Sequence, residues 1–430
     1  MTAQYDKTAS KARMISMVFI LGAAYFLSNF HRYCFGVLGE FVALDFGLSV
    51  TQLGLLGAAV YYAYAVMQLP SGVASDKLPT KAIIVLACLF SGLGTIWFAS
   101  AGGFGSLVVA RVATGAAVAF VYASCLATIR QWFGDKSLGS MTGILVAMGQ
   151  LGAVFASAPL KLSADAIGWQ GSFIVLGVLS IAIALAVLLV VPGRSRSLEP
   201  KARKAGGDLR TLIAPAFLSL LLWFFIIGGT RYAIRGLWGA DFFTKVLLLS
   251  SDQSSLLMMW MTIGSITGAL AMGWLSDVLG NIRTAALCGF ALAAAWAGFV
   301  ISDAATPVLL VYAFSTAVGF FGAGGFTVGF ACIREFASSG GGGMLIGVIN
   351  CAAFMGSALL TQFTGKFLET MLAGQYSLGQ SFYVLFIAFA ALCAGSTLLL
   401  PLLAKRKCKD ANSGNQPFNS DSTLASAIKG

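Results

Sequence analysis

Two stretches 201 residues apart read alike: "SGVASDKLPTK", residues 71–81, and "MGWLSDVLGNIR", residues 272–283. Gly72 falls over Gly273 and Asp76 over Asp277. Farther along, "IRQWFGDKSLGSMTGILVAMGQLG" (129–152) aligns with "IREFASSGGGGMLIGVINCAAFMG" (333–356), placing Arg130 over Arg334, Gly143 over Gly347 and Gly152 over Gly356, each pair 204 apart. An offset that stays nearly constant through several segments means that one unit is used twice. The copies are divided by "PGRSRSLEPKARKAGGDLR" (192–210), which is polar, basic and rich in helix breakers.

Each copy is too apolar to be soluble. The 430 residues are 58% hydrophobic and only 10% charged, with mean hydropathy +0.87, where a soluble domain carries roughly 25% charged residues. Apolar runs long enough to cross a hydrocarbon core of ~30 Å as helices centre near residues 27, 62, 92, 117, 149, 181, 226, 264, 293, 320, 353 and 391. The predicted fold is an all-α membrane protein, twelve transmembrane helices in two pseudo-symmetric six-helix bundles, an arrangement that transporters use. The boundaries follow: segment 1–13, bundle 14–192, linker 193–213, bundle 214–404 and tail 405–430. The opening "MTAQYDKTASKAR" is polar, and the first apolar run is too long for a signal peptide, so it is read as a spanning helix.

Charge sets the orientation. With both termini inside, about 20 of the 27 Lys and Arg fall in inner loops or tails, and only Lys161, Lys245 and Lys366 fall clearly outside. The formal charge of +11 is therefore topological, with no nucleic-acid partner implied, and the chain is expected in a cytoplasmic (inner) membrane with cytoplasmic termini. Seven of the eight cysteines lie in apolar runs and Cys408 in the tail, without paired or metal-ligand spacing. No disulfide, metal or cofactor is expected, and no nucleophile–base constellation suggests an enzyme.

At "GVASDKLPTK" the chain resembles the major facilitator superfamily, whose inner-loop signature runs glycine, three residues, aspartate and two spaced basic residues. The resemblance covers residues 14–404. Pro79 replaces the usual second glycine in the first copy, whereas the second keeps Gly280 but has Val278 at a commonly basic place. Asp76 at a helix end can pair with Lys77, Lys81 or Arg130 and accept from a neighbouring helix N-terminus. Gly72, Asp76, Lys77, Lys81, Arg130, Asp277 and Arg283 are accordingly assigned to conformational gating. In the fourth helix, "ARVATG" (110–115) is similar to another motif of that family and adds Arg111, in the outer part of the helix, to this group. "GFFGAGGFTVG" (319–329) lacks the lysine and strand of a phosphate loop.

Two charged residues stand where hydrocarbon is expected. "FILGAAYFLSNFHRYCFGVL" (19–38) contains His31, the single histidine, and Arg32; "LLLWFFIIGGTRYAIRGLWGADFF" (220–243) contains Arg231, 199 residues after Arg32. A central arginine costs at least ~2.5–3.5 kcal/mol to insert. The resemblance implies that helices 1 and 7 face each other across a central cavity. Two guanidiniums there repel unless an anion joins them, which suits a carboxylate or phosphate gripped by forked donors. "AAYFLSNFHRY" and "TRYAIRGLW" are similar to the sugar-phosphate permease and organophosphate:phosphate antiporter branch, where one arginine on each of these helices clasps the substrate. Arg32 can alternatively snorkel to the surface, and Arg235 is expected on the outer rim.

Further substrate-binding candidates are His31, Asn29, Tyr122, Tyr232, Trp238 and Tyr312, with Tyr25 and Asn350 behind them; packing is the plain alternative for each. His31 and Arg32 lie ~100° apart on a helix, so they cannot both point straight into a cavity. No acid falls mid-span: Glu40, Asp45, Asp165, Asp241, Asp252, Asp303 and Glu369 lie toward outer ends and the other nine are cytoplasmic, which disfavours cation export. The resulting expectation is a monomeric secondary active carrier of a small organic anion in the lipid bilayer. Its energy would come from proton symport through His31 or from exchange against a counter-anion. A nitrate-type or amino-acid carrier of the same fold is the nearest rival, and a transport-incompetent ligand sensor the rival of another class.

The orientation is testable by cysteine labelling. In a cysteine-free background, a cysteine at position 205 should escape membrane-impermeant thiol reagents added to intact cells; labelling there reverses the topology.

Overall fold

The structure is a computed structural model that describes residues 11–192, 212–336 and 342–401; the side chains of 11–13, 76, 134–140, 334–336 and 342–344 lie outside that description. The predicted tail 405–430, nearly all of the linker 193–213 and the first ten residues thus fall outside it, as does the Asp76 side chain. The described residues are helical throughout, without a strand. Met14–Tyr33, Val50–Ser75, Thr80–Ala99 and Phe104–Phe133 are the first four spans. The fifth begins with Met141–Phe155 and ends inside Ala158–Val190, where Gly168 takes φ 75° and turns the chain into the sixth. The other six are Pro215–Val246, Ser251–Leu279, Asn281–Val300, Val308–Ile333, Leu345–Ala373 and Leu378–Leu398. All twelve expected centres fall within these helices.

The repeat is written into the helix starts. Ser49 and Gln52 form a reciprocal capping box at the second span, and Ser250 and Gln253 form the same box at the eighth, 201 residues on. The junctions that follow differ. Gly280, after the eighth span, takes φ 86°, which its counterpart Pro79 cannot reach with φ held near −60°. The same turn is therefore made by two backbones.

Within each half, helices touch backbone to backbone. A methyl on Gly152 of the fifth span would meet the Phe26 carbonyl of the first, and one on Gly319 of the tenth would meet the Met261 carbonyl of the eighth. Lipid supplies no hydrophobic drive for helices to associate, so such close approach does much of the holding. Between the halves the second span packs along the eleventh: Thr51 N–H donates to Glu369 Oε2 (2.7 Å), Tyr62 Oη to Gln362 Oε1 (2.6 Å), and the rings of Tyr64 and Phe354 lie 4.4 Å apart. Ion pairs Lys245–Glu40 and Lys161–Asp252 tie the halves at the end opposite the chain termini.

Gly152→Ala and Gly319→Ala should each lower the thermal midpoint of the detergent-solubilised protein, by the ~1–3 kcal/mol typical of overpacking. Gly143→Ala, where an added methyl meets nothing within 4 Å, should leave it unchanged.

Candidate functional site

The first span loosens at Cys34, between the helices Lys11–Tyr33 and Phe35–Phe46. Carbonyls there accept from side chains: His31 O from Arg111 Nη1 (3.4 Å) and Arg32 O from Tyr61 Oη (3.0 Å). At the matching place in the seventh span the helix Pro215–Ala233 widens into a π-turn, Ile234–Trp238. Such widened turns recur at functional sites. Glycines meet at this level: a methyl on Gly36 would reach the Arg235 carbonyl at 2.7 Å, and one on Gly236 the Tyr61 hydroxyl at 2.7 Å.

Just on the terminal side of both irregularities sit the two arginines. Arg32 is 3% exposed, donates from Nη2 to Asn29 Oδ1 (2.5 Å) and lies 4.8 Å from the ring of Tyr64 and 5.6 Å from that of Phe354. Arg231 is 4% exposed, leans on the tenth span at Gly322 and Phe326, and covers the Tyr232 ring at 4.6 Å. It has no hydrogen-bond or ion-pair partner among the described residues, and its Nε is fully enclosed and unpaired, as is that of Arg32. The rings of Tyr33 and Tyr232, one from each half, stack at 5.8 Å and 15° between the arginines, inside a cluster with Tyr61, Tyr64 and Phe354. Arg32 and Arg231, expected to face each other, lie on either side of this stack as cations held by aromatic faces, with no carboxylate partner among the described residues.

Several sequence expectations change here. His31 does not face the junction of the halves. Its Nε2 meets Ser180 Oγ (2.9 Å) of the sixth span and its Nδ1 meets Thr95 Oγ1 (3.2 Å) of the third, so it is turned into its own half, and Arg32 is the neighbour that faces inward. Trp238 is buried and donates to the Thr361 carbonyl (2.9 Å) beside Gly54 and Gly365, a packing role. Tyr122 packs on Tyr25 at 5.0 Å, Tyr312 lies by Trp260 at 6.4 Å, and Asn350 reaches Gln68 at 3.5 Å; none of these three meets an arginine. Arg235, expected at the rim, is instead 4% exposed, covers Tyr33 at 3.9 Å and donates to Thr262 Oγ1 (2.8 Å). Tyr33, Tyr61, Tyr64, Thr262 and Phe354 carry no mark in the sequence; the four-residue spacing of Arg231 and Arg235, one face of a helix, is a signal that could have joined Arg235 to this cluster.

Among the gating candidates, Gly72, Lys77, Arg130, Asp277 and Arg283 are exposed and Lys81 half-buried at the terminal end of the bundle. The Asp76 side chain lies outside the described residues. The loop also docks through hydroxyls, Ser75 on Ser124 (3.0 Å) and Thr128 on Thr80 (2.8 Å). Arg111 is not part of this end: it is 3% exposed and covers Phe35 at 4.7 Å and Phe98 at 5.9 Å beside His31.

Comparison with known proteins agrees with this fold. The model of the Major Facilitator Superfamily matches residues 21–237. A probable sulfoacetate transporter of Cupriavidus necator is 29% identical over 174 residues, 40% of each chain. A probable hexose phosphate transport protein of Chlamydia trachomatis is 21% identical over 265 residues, 55% of this chain and 58% of that one. The chain thus spans about half the length of these curated relatives. The solved structure of a bacterial homolog of the human lysosomal transporter Spinster, inward-facing and unoccupied, superposes with TM-score 0.70 at 18% identity, over 92% of this chain and 96% of that one.

Like charges gathered in a poorly hydrated junction repel one another. Arg231→Ala, which breaks no hydrogen bond, should therefore leave thermal stability unchanged or raised, the mark of a residue kept for function. His31→Ala removes two buried side-chain contacts and should lower stability by about 1–3 kcal/mol. Thermal denaturation in detergent measures both.

Proposed function

We propose that this chain, which belongs to the Major Facilitator Superfamily, is a secondary carrier that moves a small organic anion across the membrane, with Arg32 and Arg231 gripping its acidic group. The observation that carries this reading is Arg231: a guanidinium 4% exposed, offered no hydrogen-bond acceptor by the described residues, and set at the interface of two halves opposite a second buried guanidinium, Arg32, whose one acceptor is the neutral Asn29. An isolated buried charge is costly unless paired, and a carboxylate, sulfonate or phosphate supplies the pair with forked geometry. The relatives named for sulfoacetate and hexose phosphate support the same charge class.

The arrangement favours anion exchange over proton symport. Symport through His31 needs that ring to communicate with the substrate, yet both its nitrogens are engaged by Thr95 and Ser180 inside one half. Exchange needs only that the empty carrier resist closing. Two unpaired guanidiniums supply that resistance, since a closed site loses the water that screens them, and a bound anion removes it. The ties between halves opposite the termini support a state closed at that end, with the gating loops at the other.

Purified protein in proteoliposomes should take up labelled sulfoacetate or glucose 6-phosphate faster when the lumen is preloaded with the same unlabelled anion than when it is empty. Arg32→Ala or Arg231→Ala should abolish uptake, with affinity down about 100-fold or more, from the roughly 3 kcal/mol lost when one partner of a buried pair is removed. Lysine at either position should rescue poorly, because a point charge lacks the fork. Wild-type affinity in the double variant ends this reading.

A further inference from the structure

Arg235 is a buried charged group beside the pair that the two-arginine reading leaves unused. It is one turn beyond Arg231 on the seventh span, 4% exposed, and packed at 3.9 Å on Tyr33, whose ring stacks on Tyr232, the ring beneath Arg231. Arg32 lies 5.9 Å from that same Tyr33 ring. Three guanidiniums thus surround one pair of stacked tyrosines at the junction of the halves.

Their hydrogen bonding is sparse. Each guanidinium carries five N–H donors and no acceptor. Among the described residues Arg235 uses one, on the neutral hydroxyl of Thr262; Arg32 uses one, on Asn29; Arg231 uses none. The Thr262 hydroxyl itself donates to the Met258 carbonyl (3.0 Å), so it accepts from Arg235 without neutralising it. The acids closest in sequence, Glu40 and Asp241, are both committed to Lys245, at 3.3 and 2.8 Å. A single anionic group bridging Arg32 and Arg231 leaves the third charge uncompensated in the same desolvated cluster.

We infer that Arg235 is a specificity-determining residue of this site, which receives a second acidic group, so that the substrate class is a short organic dianion with separated acidic groups rather than a monoanion. The inference rests on the reading of Arg32 and Arg231 as anion-binding groups. Arg231 and Arg235, four residues apart, present their side chains on one helix face about 5–6 Å apart at Cβ, a separation that suits two acidic groups on a short carbon chain.

Titration of the purified protein at fixed ionic strength with acetate, malonate and succinate tests it. The wild type should bind at least one of the two dianions tenfold or more tighter than acetate. In Arg235→Gln, which keeps a hydrogen-bonding side chain beside Thr262 without the charge, that preference should fall below twofold, the dianion losing at least fivefold more affinity than acetate. Arg235→Lys, which keeps the charge, should retain a preference of threefold or more; an arginine that merely packs on Tyr33 predicts no such rescue. Equal binding of acetate and both dianions by the wild type overturns the inference without any variant having to fold, as does an undiminished preference in Arg235→Gln. Binding of none of the three anions by the wild type counts instead against the underlying reading of Arg32 and Arg231.

Discussion

Guanidinium charge in a medium of low dielectric constant is the constraint to which the rest of this structure answers. An arginine at mid-membrane costs at least ~2.5–3.5 kcal/mol on the lenient insertion scales, and here Arg32, Arg231 and Arg235 gather at one junction. Carboxylates would relieve the cost, but they would also cancel the charge. The chain instead surrounds the cations with ring faces, Tyr33, Tyr64, Tyr232, Phe326 and Phe354, whose quadrupoles attract a cation without neutralising it. In the proposed carrier the arginines thus remain able to hold an anion, and the interface between the halves responds to its presence.

Duplication explains how such a junction is built. The first span loosens at Cys34 and the seventh widens at Ile234–Trp238, in each case immediately beyond the arginine. Gly36 and Gly236 then let one half approach the other at that level. The helices leading away start from identical capping boxes, at Ser49 and at Ser250. Where the copies diverge, at Pro79 against Gly280, the difference falls in a loop and leaves the site untouched.

The fold was legible because hydropathy and the constant offset are properties of whole segments, insensitive to which way any helix is rotated. The site was legible only in part because it depends on that rotation. Adjacent residues on a helix point ~100° apart, so the order "HRY" shows that His31 and Arg32 diverge without showing which turns inward; the hydroxyls of Thr95 and Ser180, 64 and 149 residues away, decide it. Arg235 was misplaced for a related reason. Depth along a helix suggested the rim, whereas the π-turn and the closed end of the bundle enclose it. Trp238 was misread because an indole at the level of a cavity looks the same in sequence whether it lines the space or caps a carbonyl.

The contacts that join the halves differ in kind from those that build them. Within a half, helix backbones meet at Gly152 and Gly319, contacts that cannot loosen without separating whole helices. Between the halves, two of the ties at the end opposite the termini are ion pairs that water reaches: the side chains of Asp252 and Lys245 are 75% and 44% accessible, that of Lys161 13%. Exposed pairs of this kind contribute ~0–1 kcal/mol each, so opening there sacrifices little and water replaces what is lost. In the reading proposed here, the mutual repulsion of the buried arginines is the interaction that a bound anion switches. In the proposed carrier, rigid halves, weak rims and an unbalanced centre together place control of the motion with the anion.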